Sequence, residues 1–511
     1  MIKKFLLFFS LSVYSLVAVC QDTPAAKHYG DLISTADLKE YLSIIASDAL
    51  EGRETGTRGQ KMAAAFIAAH FQELGLTAPV NGSYYQPIDL YSSSPGEAYV
   101  KAGNIKFDNF SGIAFSGSLE SGGEVSLPVV FAGNGTEQDF NQVDVKDKAV
   151  FFFSKEARLT GSKSVTMAKE RGAKLILVNN TETPADFDAT ATAVRNLATG
   201  GRLSLTKPSV ATQQAGLVLI SPAVIEKIMG VTPDNLKKAA AQDPSKNALR
   251  KIKPTTLQYK STIGVKITKS ENVLGYMEGS DKKDELVVIS AHYDHIGVIK
   301  NPAATVTDKI NNGADDDGSG TVSVLELAKI FAQAKLEGKG PRRSILFMTV
   351  TGEEKGLLGS SYYTDHPVFP LENTVVDLNI DMVGRRDPQH KESAPYVYVI
   401  GSDKLATDLH TLSESVNKRN LNMIFDYTYN EQSHPERIYY RSDHWNFAKN
   451  NIPIIFYFDG IHEDYHKPGD EVNKIEFDLL TKRAQVIFYT AWEIANQDKR
   501  IIADPDKMIK K

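Results

Sequence analysis

Histidine and carboxylate side chains follow four separate apolar runs of the sequence, each time close to the point where the run ends. These residues are His292, Asp294, Glu353, Glu354, Asp381 and His466, and Tyr465 directly precedes His466. An acidic segment flanked by glycines, Gly313-Ala314-Asp315-Asp316-Asp317-Gly318-Ser319-Gly320, lies between the first two runs. Imidazole nitrogen and carboxylate oxygen are ligands that zinc takes at catalytic sites, where a further position stays open for water. The combination therefore predicts a metal site.

The chemistry of such a site assigns a task to each residue type. Two zinc ions about 3.5–4 Å apart need a carboxylate that contacts both, and the segment 315–317 can supply one. His292 and Asp294 are two apart at a strand end and so point the same way. The Asp294 carboxylate is expected to accept the second ring N–H of His292. Of the adjacent Glu353 and Glu354, one is expected to bind metal and the other to take a proton from the bound water.

Each of these motifs is weak when it stands alone. The acidic segment by itself fits a calcium loop or a plain turn, although the spaced D-x-D-x-D-G pattern of an EF-hand is absent. A Glu-Glu pair is usually solvated surface, and a single histidine usually has a structural role. The prediction depends on their joint occurrence at successive strand ends.

The elements that must position these residues begin at about residue 262. Strands are predicted at 285–291, 344–350, 374–380, 396–400 and 453–458, and helices at 321–334, 360–364, 404–418 and 478–496. Near-continuously apolar strands that alternate with helices predict an α/β fold, with a mixed, mostly parallel sheet sandwiched by helices. Ligands of such sheets bind beyond the carboxyl ends of the strands, where the acids and histidines stand.

The sequence pattern changes in the middle of the chain, from residue 112 to residue 254. Short β-rich runs lie at 125–131, 149–153, 175–178 and 216–220, with one clear helix candidate at 164–171. This pattern predicts a compact β-rich module inserted into the α/β domain.

The first 20 residues have the sequence features of an export signal. Lys3 and Lys4 precede an apolar run from Phe5 to Val19, which is short for a membrane span. Cleavage after Cys20 predicts an exported protein, either periplasmic or secreted. The alternative is a lipoprotein anchored to a membrane through an acylated Cys20, which Val19 disfavours.

Composition excludes several classes of protein. The 511 residues carry a formal net charge of −5, so the basic footprint of a nucleic-acid-binding protein is absent. A single cysteine excludes an intramolecular disulfide and a cysteine-rich zinc module. Oligomeric state stays open.

Taken together, the motifs carry a family resemblance. They are A-H-Y-D-H, G-A-D-D-D-G-S-G, T-G-E-E-K-G-L-L-G-S, N-I-D-M-V-G and D-Y-H-K-P-G-D. The sequence resembles the co-catalytic zinc aminopeptidases of the bacterial leucyl aminopeptidase type, whose clan includes glutamate carboxypeptidase II and the glutaminyl cyclases. The resemblance implies the zinc exopeptidase fold and two Zn²⁺ per chain. One zinc is implied on His292 and Asp381, the other on Glu354 and His466, with Asp316 bridging them, Glu353 as general base and Tyr465 at the oxyanion.

The same resemblance implies a function and a domain plan. The function is an exported di-zinc exopeptidase that hydrolyses the N-terminal bond of peptides with a water shared by the zinc ions and activated by Glu353. The plan is a signal peptide (1–20), the N-terminal part of the peptidase domain (21–111), a module resembling a protease-associated domain (112–254) and the catalytic part (255–511). A glutamate-carboxypeptidase-like enzyme or a dipeptidase is the first alternative, for which Arg385 and Arg386 are candidate carboxylate clamps. A one-zinc glutaminyl cyclase and a non-catalytic binding protein are the others. Met382 is a candidate contact for the first substrate side chain or, equally, a core residue.

Overall fold

A computed structural model describes residues 23–116, 119–156, 158–199, 202–208, 215–300, 302–303, 306–431 and 433–510. The predicted signal segment and Cys20 lie outside these ranges. Of the helices within them, none is both long enough and apolar enough to cross a membrane.

The strands and helices have the following bounds. The strands are β1 (Tyr85–Ala102), β2 (Ile105–Asp108), β3 (Ile113–Ser116), β4 (Val125–Phe131), β5 (Ala149–Phe153), β6 (Leu175–Asn179), β7 (Gly216–Ile220), β8 (Thr255–Met277), β9 (Lys282–His292), β10 (Gly297–Val298), β11 (Ile310–Asn311), β12 (Arg343–Val350), β13 (Thr374–Ile380), β14 (Tyr396–Ile400), β15 (Ile424–Asp426) and β16 (Ile454–Phe458). The α-helices are α1 (Thr23–Gly30), α2 (Thr35–Ile45), α3 (Arg58–Glu73), α4 (Glu137–Phe140), α5 (Lys163–Glu170), α6 (Pro184–Thr199), α7 (Pro222–Met229), α8 (Pro233–Ala240), α9 (Gly320–Leu336), α10 (Leu358–Asp365), α11 (Thr407–Asn420), α12 (His444–Ala448) and α13 (Phe477–Asn496). Short 3₁₀ turns connect several of them.

The described residues divide into two compact units, of which the first lies within residues 23–88 and 270–510. Its strands are ordered β15-β14-β16-β13-β9-β12-β8. The four strands β12, β9, β13 and β16 run parallel, and β8 and β14 join them antiparallel. The mixed, mostly parallel sheet predicted from the sequence is therefore confirmed.

Helices cover both faces of this sheet. Alternate residues of a strand point to opposite faces. Val287 and Ile289 of β9 pack in the cluster that contains Trp492 of α13. Val288, between them, packs in the cluster that contains Phe447 of α12. Because both faces are buried, the strands read as continuous apolar runs, which is why their positions could be predicted closely.

The second unit comprises residues 89–269. Strands β4, β5, β6 and β7 form a parallel set in that order, and β3 joins β7 antiparallel. Helices α4 to α8 lie along the same stretch, so this unit is more helical than the β-rich module with one helix that the sequence predicted. Its boundaries also lie outside the predicted 112–254. The assignment as a protease-associated domain stays a prediction.

Candidate metal centre

The predicted site residues meet because they follow the carboxyl ends of neighbouring parallel strands. His292 is the last residue of β9, and Asp381 directly follows β13. Glu353 and Glu354 lie three and four residues after the end of β12, and His466 lies on the loop that follows β16. Since β12, β9, β13 and β16 are consecutive in the sheet, these loops share one edge.

Asp316 lies between two histidines and offers one carboxylate oxygen to each. Its Oδ1 is 3.3 Å from Nε2 of His292, and its Oδ2 is 3.1 Å from Nε2 of His466. The Asp316 side chain is buried. This is the arrangement that a carboxylate contacting two metal ions requires.

Two metal positions can be defined on either side of Asp316. At the first, Nε2 of His292 is 3.5 Å from Oδ1 of Asp381. At the second, Nε2 of His466 is 3.2 Å from Oε2 of Glu354. Ligand atoms about 2.0–2.1 Å from a tetrahedral zinc are separated from one another by roughly 3.3 Å. The donor types and their spacing therefore fit zinc at both positions.

The aspartates on either side of Asp316 hold the backbone instead. Asp317 accepts hydrogen bonds from the amides of Gly320 (2.9 Å) and Met382 (3.1 Å). Asp315 accepts from the amide of Gly384 at 2.7 Å. These contacts fix the acidic segment to the start of α9 and to the chain after β13, and they leave the middle carboxylate for metal.

Asp470 fixes the same segment from the loop that follows β16. Its carboxylate accepts from the amides of Asp315 and Asp316, both at 3.0 Å. Its backbone carbonyl accepts from the amide of Ala314 at 3.1 Å. The backbone that carries Asp316, the predicted bridging residue, is thus held by several hydrogen bonds.

The adjacent glutamates have opposite electrostatic environments. Burial raises the pKa of Glu353 well above its usual value, and the neighbouring Glu354 and Asp381 raise it further. Burial and Asp316 also raise the pKa of Glu354, but His295 and His466 beside it outweigh them and lower it to about 2. Two carboxyl groups whose pKa values are driven apart suit different tasks. Glu354 is therefore suited to bind a cation, and Glu353, with Oε2 4.0 Å from Nε2 of His292, is suited to accept a proton.

The predicted relay through the Asp294 carboxylate is wrong. Nδ1 of His292 donates to the backbone carbonyl of Asp294 at 3.0 Å. The Asp294 carboxylate accepts from the hydroxyl of Thr55 (2.5 Å) and from the amide of Glu353 (3.2 Å). Because β9 ends at His292, strand alternation no longer governs where Asp294 points. The Asp294 carboxylate therefore positions the backbone of Glu353, the candidate base. The backbone carbonyl of Asp294 fixes the tautomer of His292.

A small cavity opens onto both metal positions. Tyr465 lines it, stacked on the ring of His466 at 3.9 Å between centroids. Apolar side chains, including that of Met382, which also packs in the core, line the same cavity, and Arg441 stands among them. Arg441 donates to the phenol oxygen of Tyr465 at 3.2 Å.

The two arginines proposed as carboxylate clamps are engaged elsewhere. Arg385 donates to Asp464 at 3.0 Å and lies 3.9 Å from Asp470. Arg386 donates to Glu476 at 2.9 Å and to two backbone carbonyls. Both therefore hold loops around the site and do not line its cavity.

Sequence reasoning missed several residues that support the centre. The hydroxyl of Ser442 donates to Oδ2 of Asp381 at 2.6 Å, and Asn379 donates to Ser442 at 2.9 Å. Arg53 donates to the carbonyls of Asn312 and Gly313 at 2.6 and 2.9 Å. Of these supporting residues and His295, only His295, the second histidine of the A-H-Y-D-H motif, could have been suspected from the sequence, because it immediately follows the predicted site residue Asp294.

Comparison with known proteins agrees with the motifs. A family model described as Peptidase family M28 matches residues 272–491. Aminopeptidase YwaD of Bacillus subtilis is 25% identical over 464 residues, which cover 89% of this chain and 84% of YwaD. A probable leucine aminopeptidase of Arthroderma otae is 30% identical over 222 residues, which cover 42% of this chain and 55% of that protein.

Among solved structures, an aminopeptidase from Aneurinibacillus sp. strain AM-1 aligns over 94% of this chain and 98% of its own, with 19% identity and a TM-score of 0.48. The stretch matched by the family model contains both metal positions, Glu353 and Tyr465. The resemblance seen in the motifs is thereby confirmed: residues 272–491 of the chain match peptidase family M28.

Proposed function

We propose that the protein is a zinc-dependent exopeptidase that holds two zinc ions and removes N-terminal residues from peptides. The placement of Asp316 carries the proposal, because its two oxygens face two separate histidines. A pair of ions about 3.5–4 Å apart requires such a carboxylate. The names of the Bacillus subtilis and Arthroderma otae relatives, both aminopeptidases, support the direction of cleavage.

The residues that would hold the ions are those of the two positions defined above. His292 and Asp381 hold one ion, Glu354 and His466 hold the other, and Asp316 contacts both. Zinc bound in this way lowers the pKa of water and polarises a carbonyl oxygen. The backbone tethers on Asp316 keep the two positions at a fixed spacing.

Glu353 and Tyr465 supply the proton chemistry. Glu353 takes a proton from the attacking water and passes it to the amine that leaves when the C–N bond breaks. Since burial raises the pKa of Glu353, its carboxylate is a stronger base than that of an ordinary glutamate and can both accept and return a proton. The phenol of Tyr465 donates a hydrogen bond to the oxyanion of the tetrahedral intermediate.

A carboxypeptidase or dipeptidase is the second candidate function. Arg441 favours it, because a guanidinium that lines the cavity can bind a terminal carboxylate with two hydrogen bonds. The engagement of Arg385 and Arg386 with other partners weakens the case. A one-zinc glutaminyl cyclase does not need the split contacts of Asp316.

Mass spectrometry of a mixed peptide pool tests the proposal. The mature chain is loaded with zinc and incubated with free, N-acetylated and C-amidated peptides. We expect residues to be lost one by one from free N-termini, while the N-acetylated peptides stay intact. Loss from the C-terminus would establish the second candidate, and loss of ammonia from N-terminal glutamine would establish a cyclase.

A pair of variants links the activity to the site. Glu353→Gln keeps the shape and burial of the side chain but removes the proton acceptor, so turnover should fall by roughly 10²–10⁴-fold. Zinc content should stay at two ions per chain. The exposed Glu372→Gln serves as the matched control and should leave turnover unchanged. Near-normal turnover in Glu353→Gln would refute the assignment of the base.

Export belongs to the same proposal. The first 20 residues direct the chain out of the cytoplasm, and the mature protein acts in the periplasm or the medium. N-terminal sequencing of the protein from its own compartment tests this. A chain that begins at Gln21 supports the signal peptide, whereas an acylated Cys20 supports the membrane-anchored alternative.

A further inference from the structure

His295 directly follows Asp294 and is fully buried next to the second metal position. Its amide donates to the carbonyl of Arg53 at 3.2 Å, and Glu54 forms a parallel bridge with it. The ring stands edge-on to that of His466, 5.7 Å between centroids. The backbone thus fixes His295 where its ring faces the ligands of this position.

Three polar atoms converge here without hydrogen-bond partners among the described residues. They are Nδ1 of His295, Oε1 of Glu354 and Oδ2 of Asp316. Nδ1 lies 2.7 Å from Oε1 and 3.9 Å from Oδ2, but Oε1 is out of line with the direction of a ring N–H. An unsatisfied buried polar group costs about 1–3 kcal/mol, so three at one point indicate a cation that binds all of them.

We propose that His295 binds the second zinc ion through Nδ1, alongside the carboxylates of Asp316 and Glu354. Neutral imidazole nitrogen and carboxylate oxygen are both zinc ligands. Coordination would satisfy all three atoms at once, whereas a single hydrogen bond would leave Oδ2 without a partner. The second position then has two histidines, His295 and His466, against one at the first.

This inference deepens the proposed function, since it rests on the same two-zinc site. It makes a selective prediction, because His295 lies apart from the first position. Loss of its imidazole should weaken zinc binding at the second position and leave the first unaffected.

Zinc affinity of His295 variants tests the assignment. In His295→Leu, titration against a chelator should show one site of normal affinity and one weakened by more than about 100-fold. Loss of a contact that only supports a ligand typically costs 10–100-fold. His70→Asn, a buried histidine on α3 that contacts a backbone carbonyl, is the control and should keep both sites.

His295→Asn separates a ligand from a hydrogen-bond donor. The amide nitrogen of asparagine takes the place of Nδ1 and can still donate to Glu354, but it does not bind zinc. Weak second-site binding in this variant supports the proposal. Restored affinity would overturn it in favour of a hydrogen bond.

A measurement on the unmodified protein covers the case in which variants fail to fold. Cobalt(II) shifts the exchangeable N–H resonances of bound imidazoles far from the rest of the proton NMR spectrum. Three such resonances, from His292, His295 and His466, support the assignment, and two would overturn it. Three resonances in a protein that hydrolyses no peptide would refute the proposed function while leaving the ligand intact. Two resonances in a protein that hydrolyses peptides normally would refute His295 as a ligand and leave the proposed function intact.

Discussion

Replacement of Arg53 by methionine should destabilise the fold around the metal centre. The Arg53 side chain is fully buried, and its guanidinium donates to four backbone carbonyls. The acceptors are Tyr293 (2.8 Å), Ile45 (2.8 Å), Asn312 (2.6 Å) and Gly313 (2.9 Å). Asn312 and Gly313 lead into the acidic segment that carries Asp316. One side chain therefore ties α2, the end of β9 and the metal-binding segment together.

The size of the effect follows from these contacts. Hydrogen bonds from a charged donor contribute about 1.5–3 kcal/mol each, or about 6–12 kcal/mol for four. Burying a guanidinium without a paired carboxylate costs several kcal/mol in the other direction. Arg53→Met removes both the hydrogen bonds and the cost of burying the charge, but it leaves four carbonyls without a donor. We therefore expect the free energy of unfolding to fall by about 3–5 kcal/mol. That corresponds to a fall in Tm on the order of 10 °C.

Thermal unfolding of the metal-free protein measures this directly. Arg58→Met is the matched control, since Arg58 lies on the same segment, is exposed and pairs with Glu51. Its Tm should stay within a degree or two of the unmodified protein. Zinc affinity of Arg53→Met should also fall, because the acidic segment loses two anchors. An Arg53→Met protein that melts within 2 °C of the control would refute the argument that these carbonyls depend on Arg53.

Three further substitutions test other parts of the centre. Ser442→Ala removes the donor to Asp381, so zinc affinity at the first position should fall by about 10–100-fold in a chelator competition. Tyr465→Phe removes the oxyanion donor, and kcat should fall by roughly 10–10³-fold while KM changes little. Burial lowers the pKa of His444 to about 3, so the unfolded chain binds the extra proton below pH 6.5. Stability should drop by up to about 1.4 kcal/mol per unit as the pH falls from 6.5 towards 3, and urea titrations of His444→Gln should lack that slope.

The parts of the fold that the sequence predicts well are those governed by burial on both faces. Strands β12 and β13 begin and end within one residue of the apolar runs at 344–350 and 374–380. The second unit was harder, because its helix α6 carries few large apolar side chains over residues such as Asp186 to Thr192. Tertiary packing, which periodicity does not record, decides such helices.

In the site, too, positions set by the local sequence could be predicted, whereas those set by contacts with remote residues could not. The candidate metal ligands could be placed together from their strand ends, because parallel strands present their carboxyl ends at one edge. The role of the Asp294 carboxylate could not, because it depends on Thr55, which is remote in sequence. His295 was missed for a similar reason, since its ring direction is set by the pairing of its backbone with Arg53 and Glu54.

The order of the ligands along the chain has a consequence for folding. Asp316 comes early in the chain, whereas His466 comes from the loop after the last strand of the parallel set. A chain that lacks its final hundred residues lacks His466 and also the Asp470 carboxylate that fixes the backbone of Asp316. Under the proposed function, both ions together therefore bind only the completed fold, and each ion at about 100 times its dissociation constant adds about 2.7 kcal/mol to the free energy of unfolding. We therefore expect metal loading to follow folding, so that an incompletely folded chain stays without the paired metals that the proposed activity requires.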